Sequence, residues 1–69
     1  MLKEGGARFA GRRVGDLDLR ERTGCSIVAV ERDGAPLATI GSELVLAEDD
    51  VLYVCGGDEG IDRFKQLDG

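Results

Sequence analysis

The chain has 69 residues, nine Lys plus Arg against fourteen Asp plus Glu, a formal charge of -5 and no histidine. This describes one small domain with a thin core, which buries only about 60% of the surface its unfolded form exposes, so self-association is an expected source of stability. The acidic balance, with Arg12-Arg13 as its basic pair, excludes the counterion-displacing patch of a nucleic-acid binder; no apolar run approaches the roughly 20 residues of a membrane span, and no leader pattern marks secretion.

Met1-Leu2-Lys3 reads as at most the end of a strand, and its abruptness suggests an excerpt from a longer protein. In residues 14–20, Val14, Leu17 and Leu19 form the apolar side of one or two helical turns, with Gly15 limiting their length. Ile27-Val28-Ala29-Val30 follows as the central strand and ends on Asp33-Gly34, a strong signal for a tight reversal. Strict alternation assigns Ser26, Val28, Val30 and Arg32 to one face and Cys25, Ile27, Ala29 and Glu31 to the other. Both faces are then largely apolar, and the second requires cover that a short chain cannot supply.

Pro36 suits a turn or an edge strand, because it has no N–H for a ladder. Residues 37–40 are a short strand candidate, residues 43–46 are open between a strand and a bend, and residues 47–50 form a polar turn. Val51-Leu52-Tyr53-Val54-Cys55 is the second core strand, closed by Gly56-Gly57. Asp58 is expected to cap a helix over residues 59–67, whose Ile61, Phe64 and Leu67 share a stripe. Cys25 and Cys55 lie in strands that can be neighbours; they are expected as reduced, buried thiols, with a disulfide as the alternative.

These pieces, in order, resemble the C-terminal domain of the regulators of potassium conductance (RCK), also called the TrkA C-terminal domain. The residues concerned are Gly11-Arg12-Arg13-Val14-Gly15-Asp16-Leu17-Asp18-Leu19-Arg20, Thr23-Gly24, residues 27–34, Asp50-Val51-Leu52-Tyr53-Val54 with Gly56, and Ile61 to Phe64. The resemblance spans nearly the whole chain and implies a single α+β domain over residues 1–69: a small antiparallel β-sheet with one short and one C-terminal helix. It also implies a homodimer at the inner face of the cell membrane, in the cytoplasm, attached to a potassium channel, potassium transporter or cation/proton antiporter. Some members bind cyclic di-AMP at the dimer interface. The family's first strand lies mostly before Met1, so the sheet here is expected to be incomplete or that strand short.

A doubly charged dinucleotide held between two copies needs a cation for its phosphates and an apolar floor for its rings. The matching positions are Arg32 as cation and Ile27 with Val28 as floor. The competing reading pairs Arg32 with Glu31, Asp33 or another acid at the sheet rim, and gives Ile27 and Val28 to plain packing. Glu48-Asp49-Asp50 lacks the spacing of a twelve-residue calcium loop, so Asp50 is read as bonding nearby backbone N–H groups. Without histidine, and with Ser26, Cys25 and Cys55 lacking an evident activating partner, the chain reads as no enzyme. Two functions follow: a regulatory domain sensing a small-molecule effector, or a purely structural dimerisation module.

Overall fold

The computed structural model describes residues 1–67. Its antiparallel sheet comprises β1 (Leu2–Gly5), β2 (Ser26–Arg32), β3 (Ala35–Pro36) and β4 (Val51–Cys55), in the order β1-β4-β2-β3. Two helices accompany it, α1 (Leu19–Thr23) and α2 (Asp58–Gln66), with single 3-10 turns at Gly6–Phe9 and Val14–Leu17. The first strand is therefore present and short, four residues paired in register from Leu2 with Val54 to Gly5 with Val51.

The Asp33-Gly34 reversal forms as its residues dictate. Both adopt positive φ, 55° and 81°, the condition that a two-residue hairpin loop matched to strand twist imposes, and Arg32 pairs with Ala35 across it. Pro36 lies on the outermost strand, where its missing N–H costs nothing. Residues 37–40, expected as a strand, stay irregular; only the Leu37 amide, bonded to the Val30 carbonyl at 2.9 Å, continues along β2. Residues 42–46 instead bond to residues 11–15, through Gly15 N to Ser42 O, Val14 N to Leu44 O, Leu46 N to Arg12 O and Gly11 N to Leu46 O.

The alternation expected for β2 is broken by a bulge. Ile27 pairs with Val54 and Ala29 with Tyr53, so Val28 is an extra residue without a partner in β4, and every later side chain changes face. Cys25, Ile27, Val30 and Arg32 consequently share the side of Leu52 and Val54, while Ser26, Ala29 and Glu31 share the other side with Tyr53 and Val51. The outer face is thus more polar than strict alternation implies. Tyr53 donates its hydroxyl to Glu31 there at 2.6 Å.

The core lies on the opposite side and joins Phe9, Leu17, Leu19, Val30, Leu46, Leu52, Val54 and Phe64 with Cys25. Ile61 and Leu67 pack against it beside Phe64, as their spacing predicts. Close contact between the helices requires Gly60, where a Cβ would fall 2.7 Å from the Thr23 carbonyl oxygen. Thr23 itself is buried, donating to the Leu19 carbonyl at 2.6 Å and accepting from the Cys25 amide at 3.0 Å. Asp58 is the first residue of α2 and makes no capping bond. Gly57 holds the N-cap position, and Asp58 and Glu59 act through their charge beside the helix N-terminus. Cys55 is exposed and free, a correction to the expected buried pair: it sits opposite Ser26 on the outer face, whereas Cys25 turns into the core.

Candidate functional site

β3 covers only the last residues of β2, because the hairpin partner ends at Pro36 and residues 37–40 leave the sheet. Over residues 26–29 the side of β2 away from β4 therefore has no strand beside it among the described residues. A groove of about 520 Å3 is lined by Cys25, Ser26 and Ile27 at the start of this stretch together with Ile40, Gly41 and Ser42. Val14 and Leu19 add apolar lining, and Asp18, Arg20 and Glu21 add charged lining.

The three residues anticipated for a ligand do not converge within one copy. Ile27 lines the groove and is half-buried. Val28, pushed out by the bulge, is 52% exposed beside it. Arg32 lies further along β2, outside the groove lining, and is engaged by Asp50. The groove's own cation, Arg20, has no signal in the sequence that separates it from other surface arginines.

Arg32 and Asp50 form a bidentate pair, Nε donating to Oδ1 at 2.8 Å and Nη2 to Oδ2 at 2.7 Å. Nη2 also donates to the Val45 carbonyl at 3.1 Å, and the Ala47 amide donates to Asp50 Oδ2 at 2.8 Å. The Asp50 side chain is fully buried while that of Arg32 remains 35% exposed. This arrangement unites two separate expectations, an acid partner for Arg32 and backbone bonding by Asp50. Asp50 points inward with both oxygens occupied, and no cluster of three metal-binding side chains occurs among the described residues.

The Arg32 hydrogen bond, reinforced by the Ala47 amide and opposed by burial, holds the Asp50 carboxyl below the usual carboxylate range. The same bond raises Arg32 above its ordinary value. A carboxyl depressed by folding contributes stability that is complete above the ordinary carboxylate range and is lost as pH falls through the folded value. Urea titrations should therefore show the stability difference between wild type and Asp50→Asn at its full size at neutral pH and shrinking toward pH 3. A constant difference would mean that the charge of Asp50 contributes nothing. Tyr53 shifts oppositely: its bond to Glu31, then burial, raises the phenol.

Residues 2–69 match the family model described as the TrkA-C domain. Among solved structures, the chain resembles the RCK C domain of the potassium transport protein KtrA in complex with cyclic di-AMP. That match has TM-score 0.84 and 26% identity over 94% of this chain and 78% of that one. The GsuK RCK domain matches with TM-score 0.81 and 34% identity over 94% of this chain, which spans only 14% of that protein. The RCK_C domain dimer of S. agalactiae BusR in complex with cyclic di-AMP shares the fold, with TM-score 0.78 and 24% identity over 94% of this chain and 84% of that one. No curated protein matches in sequence. No helix among the described residues is long and apolar enough to cross a membrane.

Proposed function

The chain belongs to the TrkA-C domain family, and from that premise we propose that it is the ligand-sensing domain of a potassium channel, potassium transporter or cation/proton antiporter. It works as a homodimer at the cytoplasmic face of the membrane, and its effector is a small anionic molecule, cyclic di-AMP foremost. Its part is regulatory and not catalytic.

The observation that carries this reading is the open side of β2, where an apolar groove containing Ile27 lies beside the exposed Val28. A surface of this kind suits a second copy, because a two-fold axis presents the same edge from both partners. Two copies would bring their Ile27 and Val28 side chains around a planar base, with Arg32 supplying charge for the phosphates. KtrA and BusR, the relatives described in complex with cyclic di-AMP, support that choice of ligand.

The mechanism is population shift. A ligand that prefers one arrangement of the paired domains moves the attached transporter by the difference in its affinity for the two arrangements. Thermal unfolding with cyclic di-AMP, adenine nucleotides, calcium and magnesium tests the proposal, with the association state followed by sedimentation. At one hundred times its dissociation constant an effector adds about 2.7 kcal/mol, which for so small a domain raises the melting temperature by about 10 °C or more. The expected result is a dimer that responds to cyclic di-AMP. A dimer indifferent to the whole panel would be a purely structural module.

A further inference from the structure

We infer that Asp50 is a positioning residue for the anion-binding edge of Arg32, an inference that rests on the ligand-sensing reading above. A guanidinium carries five N–H donors. Asp50 and Val45 take those of Nε and Nη2, three in all, while Nη1 has no protein partner among the described residues. The burial is asymmetric in the same direction, with the Asp50 carboxylate wholly enclosed and the Arg32 side chain 35% exposed. The Ala47 amide fixes Asp50, and Asp50 fixes one long edge of the guanidinium. The other edge, Nη1, faces away from the pair.

An arginine free to sample its rotamers loses that freedom when it grasps an anion, and one already held by its fork does not. Two consequences of Asp50 oppose each other. Its negative charge lowers the attraction of the site for an anion, and its geometry holds Arg32 ready for one. Charge alone predicts that Asp50→Asn, which removes a buried negative charge, tightens binding. Positioning predicts that it weakens binding. The short bidentate contact favours positioning, because an amide offers one acceptor oxygen where the carboxylate offers two, so the parallel bonds from Nε and Nη2 to separate oxygens are lost.

Titration calorimetry of the 69-residue chain with cyclic di-AMP separates the two. Wild type, Asp50→Asn, Arg32→Lys and the double variant are each first shown to be folded by circular dichroism at the working temperature. Asp50→Asn and Arg32→Lys should each weaken binding about tenfold, the lower end of what losing an orienting partner costs at metal sites. The double variant should bind no more weakly than the singles, because each removes the same fork. A purely structural role for Asp50 would lower the melting temperature and leave the affinity of the folded protein unchanged. Binding by Asp50→Asn as tight as wild type, or tighter, overturns the inference. Should Asp50→Asn not fold, Arg32→Lys decides, since it keeps the charge and loses the fork, and unchanged affinity there overturns the inference. Failure of wild type itself to bind cyclic di-AMP removes the ligand reading and this inference with it, a result distinct from the other two.

Discussion

Phe64→Ala should remove about 3–5 kcal/mol of the domain's stability at 25 °C, read in urea as a large fall in the midpoint or as loss of the cooperative transition. Phe64 is fully buried from the middle of α2, and its ring lies 5.7 Å from that of Phe9. The Arg8 guanidinium stands 5.0 Å from the Phe9 centroid and 5.4 Å from that of Phe64. Arg8 also donates to the Phe64 carbonyl at 3.0 Å and to that of Leu67, tying the end of α2 to the chain beside β1. Truncating a buried phenylalanine to alanine costs about 3–5 kcal/mol through lost transfer energy and the cavity left behind. Native stability at about 0.05–0.15 kcal/mol per residue gives a chain of this length roughly 3–10 kcal/mol in total. The truncation thus removes from about 30% of what holds the fold to all of it. Phe64→Leu, which keeps most of the volume, should still unfold cooperatively at a lower midpoint. Far-UV circular dichroism through a urea titration distinguishes these outcomes. A cooperative Phe64→Ala transition within about 1 kcal/mol of wild type would show that the core does not depend on this contact.

Most of this scaffold is written in local pattern. Asp33-Gly34 demands its own conformation, Val51 to Cys55 is too apolar to be anything but an inner strand, and Ile61, Phe64 and Leu67 repeat at helical spacing. What could not be read depends on partners distant along the chain. The bulge at Val28 leaves no trace in composition, since a β-branched residue suits a regular strand equally well, yet it changes the face of every residue after it. Residues 37–40 have the composition of a strand but leave the sheet, while residues 42–46 bond to a segment some thirty positions earlier. The candidate site inherits this division. Ile27, Val28 and Arg32 were nameable from the family resemblance, whereas the partnership of Arg32 with Asp50 needed the loop before β4 to fold back on β2.

Val28→Lys should leave the fold intact and weaken self-association at least a hundredfold. As the bulged residue, Val28 has no partner across the ladder in β4 and is 52% exposed, so replacing it disturbs little inside one copy. An exposed substitution of this kind changes stability by about 0.5 kcal/mol or less. Across a two-fold axis the change counts twice, and two ammonium groups would meet where the proposed pair buries apolar side chains. Burying an unpaired charge at an interface costs several kcal/mol, and a hundredfold loss corresponds to only about 2.8 kcal/mol. Val28→Ser, polar without charge, should weaken association less, so that the order wild type, serine, lysine reports on the environment of this one side chain. Sedimentation equilibrium measures the association and circular dichroism the fold, with the comparison made at fixed concentration because dimerisation itself adds to apparent stability. The lysine variant should also lose its thermal response to cyclic di-AMP, since the proposed site exists only between two copies. If it instead pairs as tightly as wild type, the paired surface lies elsewhere on the domain, and the open side of β2 is not where the effector is held.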